Sequence, residues 1–154
     1  MSLPKSIIIG CDHAAIDLKD NIVAFLKEKN IQVEDIGAYD KKISVDYPDF
    51  AIRVSTSVAN NHHEYGILIC GTGLGMSMAA NRFSGIRAAL CNDLFSAKMS
   101  RQHNNANVLV MGGRIIGDVL AKAIVQTFLD TPFEDGRHAD RLAKFDCLGE
   151  SLNL

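Results

Sequence analysis

What most constrains this chain is an alternation of two hydrophobic periods. Short runs of aliphatic and β-branched residues fall at 6–9, 31–36, 66–69, 86–90 and 108–111. Between them the apolar residues recur every three or four positions. In 17–29, for example, Leu18, Ile22, Phe25 and Leu26 form one stripe of a helix. The segment 49–60 follows Pro48, a residue suited to a first helical turn. Segments 75–83, 94–103 and 117–129 supply three more helices. Strands that alternate with helices are joined by right-handed crossovers, which makes the sheet parallel and covers both its faces. The runs are apolar throughout, as doubly buried strands should be. The predicted fold is therefore α/β: a three-layer, doubly wound, Rossmann-like domain with a five-stranded parallel sheet.

The 154 residues suit one domain spanning 1–154, and no repeat, low-complexity run or linker interrupts them. Two segments break the rhythm. Residues 38–47 form a polar loop with charges of both signs, and 131–154 follow the last strand and helix. That tail is expected to hold one more helix, at about 137–147, which the sheet does not need and which would cover a site or a partner chain. The net charge of -2 argues against nucleic-acid binding by bulk electrostatics but leaves room for a local phosphate site. No apolar run approaches the roughly 20 residues that span a bilayer. The opening "MSLPKSIIIGCDH" lacks a signal-peptide pattern, so a cytoplasmic location is expected. Cys11, Cys70, Cys91 and Cys147 form no C-x-x-C pair, so each is by default buried, reduced and inert.

In open α/β sheets, ligands bind beyond the carboxyl ends of the strands. Cys11, Asp12 and His13 follow the first strand, and Cys70 and Thr72 follow the third. Cys91, Asn92 and Asp93 follow the fourth, and Gly112, Gly113 and Arg114 the fifth. The helix before the fifth strand ends in "SRQHNN", and Arg101, His103 and Asn104 are expected near the same sheet edge. After Cys70 come Gly71, Gly73 and Gly75, and then a helix. Glycines there let backbone N–H groups approach an anion. The dinucleotide pattern G-x-G-x-x-G is not met, because position 76 is Met76, and no G-K-[ST] follows for a P-loop. A tight structural turn and an oxyanion-binding turn both remain.

Packing is the default for Cys70, but a helix N-terminus beside it favours thiolate. That would suit either a general base or a nucleophile, the latter with His13 or His103 as partner. Asp12 would serve equally as a cap of the first helix, and His103 as a partner of a helix dipole. Arg137 and Arg141 share a helix face with His138 close by. They form either a solvated stripe or, with Arg114, a phosphate clamp.

The blocks "GCDHAA", "DYPDFA", "ILICGTGLGMSMAAN", "GIRAAL", "SRQHNNANVLVMGGR" and "GRHADR" resemble the sugar-phosphate isomerase family of ribose-5-phosphate isomerase B. That family also holds galactose-6-phosphate and allose-6-phosphate isomerases. The likeness runs from residue 7 to about 142. It implies interconversion of an aldose phosphate and its ketose through an enediolate, in the pentose phosphate pathway, without metal or organic cofactor. By this resemblance Cys70 is the base and Thr72 assists it, while the N–H groups of Gly71, Gly73 and Gly75 stabilise the enediolate oxygen. Asp12 binds sugar hydroxyls and His103 opens the furanose ring with Asn104 in support. His13, Arg114, Arg137 and Arg141 hold the phosphate, and Tyr47 borders the sugar. The family's sites lie at a dimer interface, so a homodimer or dimer of dimers with shared sites is implied.

Two departures from the family pattern stand out. Ala15 replaces a glycine, and Asn105 replaces an aspartate that would orient the histidine. The cysteine at 70 and Met76 point to the cysteine-base version rather than the serine–glutamate version of the family. Ribose 5-phosphate is the expected substrate, with a hexose 6-phosphate as the alternative. Outside the family, a nucleotide-binding module and a cysteine-nucleophile hydrolase are the rival readings.

Overall fold

The structure is a computed structural model and describes residues 3–145. Five strands and six α-helices alternate: β1 (Ser6–Cys11), α1 (Ile16–Glu28), β2 (Gln32–Asp35), α2 (Tyr47–Ala59), β3 (Tyr65–Cys70) and α3 (Leu74–Ala80). Then follow β4 (Ala88–Leu90), α4 (Leu94–Gln102), β5 (Val108–Gly112), α5 (Asp118–Asp130) and α6 (Arg137–Leu142), with a 3-10 turn at Ala143–Phe145. The strands pair in the order β2-β1-β3-β5-β4, all parallel. The α/β, doubly wound, five-stranded expectation therefore holds.

Strand periodicity divides the core in two. Ile7, Ile9, Cys11, Ile67, Ile69, Leu109 and Met111 face the layer of α1, α4 and α5. Ile8, Leu68, Cys70, Val108 and Val110 face α2 and α3. In the first layer α5 packs on both α1 and α4, and in the second α2 packs on α3. The stripe of α1 is buried as expected at Leu18, Ile22 and Leu26, with Phe25 only partly covered.

This layering locates the crevice. The chain leaves β1 and β5 toward one face and leaves β3 toward the other. The carboxyl end of β3 is thus flanked on both sides by strands whose connections diverge from its own, the position where open α/β sheets bind ligands. The register sets Cys70 opposite Gly112, and its neighbour Ile69 opposite Cys11.

Several boundaries differ from expectation for local reasons. The segment 86–90 yields only three strand residues: β5 begins at Val108 opposite Ala88, and the Arg87 N–H is taken by Asn107 Oδ1 at 2.8 Å. Asn81 closes the open edge of β4. Its Nδ2 donates to Ala88 O at 2.8 Å, and its Oδ1 accepts from Ala88 N at 2.9 Å. Helix α2 begins one residue before Pro48, at Tyr47. The tail helix predicted at 137–147 is a six-residue α6 that tightens into the 3-10 turn; positions 146 and 147 lie outside the described residues. Among the described residues no helix is long and apolar enough to cross a membrane.

Candidate active site

The turn after β3 is built around a sulfur atom. Gly73 adopts φ +80°, a left-handed conformation, and caps α3. In that conformation its N–H donates to Cys70 Sγ at 3.2 Å. A Cβ there would press on Leu90 and on the Met111 backbone. The next N–H, of Leu74, donates to Thr72 Oγ1 at 3.3 Å. Of the turn's donors, those of Gly73 and Leu74 are therefore held by Cys70 and Thr72.

Cys70 is unlike its fellow cysteines. Cys11 points its thiol at Ala38 O, 3.8 Å away, and burial pushes its pKa up to about 12. Burial likewise raises the pKa of Cys91. Those two are packing residues, as the default predicts, and Cys147 lies outside the described residues. Cys70 instead receives an N–H at a strand end, so its sulfur is the acceptor.

Around this turn the carboxyl edge gathers most of the expected groups. The Asp12 backbone N–H donates to Ile69 O, which ties the end of β1 to β3. Asp12 is buried, and its Oδ1 accepts the N–H of Ala14 at 2.9 Å. It does not cap α1, whose N-cap is Ala15 without a side-chain bond. His13 Nδ1 accepts the N–H of Val45 at 3.2 Å, so the neutral ring carries its proton on Nε2 and anchors the polar loop. A Cβ on Gly75 would lie 2.5 Å from the Tyr47 ring, so the absence of a side chain lets that ring cross the first turn of α3. A Cβ on Gly71 would lie 3.5–3.6 Å from the Arg114 side chain, guanidinium included. The loops meet through Gly113 N to Cys70 O at 2.8 Å and Arg114 N to Gly71 O at 2.9 Å. The Ala15 departure is seated here: a Cβ on Gly113 would come within 2.9 Å of the Ala15 methyl.

The expectation that Arg101, His103 and Asn104 join this edge is corrected. Helices of a parallel sheet run back against the strands, so α4 starts at the carboxyl edge and finishes at the amino edge. Arg101 Nη2 donates to the hydroxyl of Tyr65, the first residue of β3, at 3.0 Å. Cys70 is the last residue of that strand, about 17 Å away for a strand of this length. Arg101 is buried and structural. It also donates to Ala106 O at 2.5 Å and to Asn105 Oδ1 at 2.9 Å, and it lies over the rings of Tyr65 and Phe128. Asn105 therefore faces Arg101, not His103.

His103 sits instead with the tail. Its ring stacks on that of His138, with centroids 4.2 Å apart and planes 6° apart. Glu134 Oε2 lies 3.7 Å from His103 Nε2 and 3.5 Å from His138 Nε2. Gln102 Nε2 donates to the other oxygen of the same carboxylate. Helix α6 carries Arg137 and Arg141, both exposed, from this amino-edge cluster. Burial first, and then the neighbouring His103 and Arg137, hold the His138 pKa below the ordinary histidine value. Sequence reasoning passed over Glu134, although its spacing to His138 is that of an i,i+4 pair.

A sequence profile described as Ribose/Galactose Isomerase matches residues 7–145. The ribose-5-phosphate isomerase B of Escherichia coli is 45% identical over 149 residues, which cover 97% of this chain and 99% of that one. The D-erythrulose-4-phosphate isomerase of Pectobacterium atrosepticum is 44% identical, over 90% of this chain and 91% of its own. The crystal structure of a ribose 5-phosphate isomerase from Thermotoga maritima superposes with a TM-score of 0.89. It is 55% identical, and the match covers 92% of this chain and 97% of that one. With a profile match over nearly all the described residues and relatives of this identity, the chain belongs to the ribose/galactose isomerase family.

Proposed function

We propose that the chain interconverts ribose 5-phosphate and ribulose 5-phosphate, in a site that a second copy completes. One observation carries this reading. The chain holds two half-sites at opposite edges of one sheet, a thiol half around Cys70 and a cationic half around His103, Arg137 and Arg141. A phosphorylated pentose is far too short to bridge the length of β3. Two copies facing one another would join the thiol half of one to the cationic half of the other. The exposed apolar rim at the carboxyl edge supports such pairing: Leu74, Phe95, Ile115 and Val119 stand open there.

In this reading His103 of one copy opens the furanose. Cys70 of the other, as thiolate, takes the proton from carbon 2 and returns it to carbon 1. Thr72 holds the reacting end of the sugar. The N–H groups of Gly71, Thr72 and Gly75 stabilise the enediolate oxygen, while that of Gly73 stays on the sulfur. Asp12 keeps one carboxylate oxygen on Ala14 and offers the other to the sugar hydroxyls, moving the proton between the two oxygens. Tyr47 walls the sugar, and Asn104 supports the ring-opening end. His13, Arg114, Arg137 and Arg141 bind the phosphate. The reaction would run in the cytoplasm, within the pentose phosphate pathway.

An isomerase assay across tetrose, pentose and hexose phosphates tests the reading. Ribose 5-phosphate should give the highest kcat/KM. A clear preference for a four-carbon substrate would instead align the chain with its erythrulose-phosphate relative, and a preference for a hexose phosphate would contradict the pentose assignment.

A further inference from the structure

We propose that His103, Glu134 and His138 form a binding site for a borderline divalent cation such as Zn2+, and that its occupation inhibits the enzyme. The inhibitory part rests on the ring-opening role of His103; the site itself does not. The ligand atoms of these three residues all lie within 4.8 Å of one another. Tetrahedral zinc with bonds of about 2.0–2.1 Å places its ligand atoms roughly 3.3–3.5 Å apart. The Glu134–His138 separation of 3.5 Å already meets that spacing, and the Glu134–His103 separation of 3.7 Å nearly does.

A second observation points independently to a ligand. His138 is only 6% exposed, and its Nε2 finds no hydrogen-bond partner, although it lies beside the carboxylate. Gln102 Oε1, on the side chain that holds the same carboxylate, is also buried without a partner. Buried polar atoms without partners are rare, and an imidazole nitrogen left without one beside a carboxylate marks a place where something polar is missing. Imidazole and carboxylate together suit zinc better than magnesium or calcium, which prefer oxygen alone. Two stacked rings cannot both aim in-plane lone pairs at one ion, so one ring must turn. His103 is the ring free to do so, since it is partly exposed and caps the end of α4. Turning it breaks the stack and takes its nitrogen from the sugar.

The test uses the intact oligomer carrying Cys70→Ser and Cys147→Ser, which leaves only the buried Cys11 and Cys91 as thiols, and titrates Zn2+ against a chromophoric chelator. One ion per chain should bind, with affinity falling about 10- to 100-fold in His138→Ala and in Glu134→Gln. Binding should also weaken as pH falls, because protons compete with the metal for its ligands. Affinity unchanged in both variants, or no binding at all, overturns the site. With Cys70 restored, Zn2+ should inhibit ribose 5-phosphate turnover, and His138→Ala should need at least about tenfold more zinc for half inhibition of its own rate. Zinc that binds at these residues without slowing turnover overturns the inhibitory role alone. Zinc binding in a chain without isomerase activity would uphold the site and count against the proposed function.

Discussion

Two cysteines end neighbouring strands and meet opposite fates. Cys11 and Ile69 are register partners, so the sulfurs of Cys11 and Cys70 lie one residue apart in register and on opposite faces of the sheet. Cys11 donates to a carbonyl, whereas Cys70 accepts an N–H. That difference was legible in the sequence, because three glycines follow one cysteine and the polar pair Asp12 and His13 follows the other. Cys70→Ser should abolish exchange of the carbon 2 proton with solvent while the fold persists, since an alcohol is far too weak a base at neutral pH. Substantial exchange in this variant, followed by deuterium incorporation, would remove Cys70 from the mechanism. The family resemblance pairs position 105 with the histidine, but in this chain the Asn105 side chain, at a φ of +43°, accepts from Arg101. Asn105→Asp should therefore leave ring opening unchanged. It should also raise stability by about 1 kcal/mol in denaturant titration, as a neutral hydrogen bond to a guanidinium becomes a charged one.

At the scale of elements, periodicity recovered all five strands and their helices, and turn chemistry recovered the crevice at β3. What it missed were ends. The short β4 starts only after Asn107, twenty residues on, takes the Arg87 N–H, and α6 gives way to a 3-10 turn where no glycine or proline announces it. The β3–α3 turn depends on a left-handed Gly73. Gly73→Ala should cost about 1–3 kcal/mol in unfolding and lower kcat with it, because the Cβ displaces the turn that holds Cys70 Sγ. A variant with normal kcat would show that the N–H to Cys70 does not matter for turnover. Helix α6 presents its arginines to solvent in the single chain. Arg137→Ala and Arg141→Ala should each raise KM by roughly tenfold to over a hundredfold, about 1.5–3 kcal/mol for a charged hydrogen bond to phosphate, with kcat less affected. Unchanged kinetics in both would leave the arginines as a solvated stripe.

The whole molecule shows what no local pattern contains. The same motifs that read as one constellation along the chain divide between two edges of the sheet, because α4 and α5 carry their C-termini back to the start of the strands. Spacing in sequence cannot reveal this, since it follows from the direction in which helices return. The separation turns the shared site from an implication of family resemblance into a geometric requirement of the proposed chemistry. Mixing two inactive variants tests it most directly. Cys70→Ser and His103→Ala chains, unfolded and refolded together, form half of their dimers from one chain of each. Every such dimer keeps one site with both groups intact, so ribose 5-phosphate isomerase activity should return to about a quarter of the wild-type value. Activity no higher than the average of the two parents refolded alone would contradict a site built from two chains.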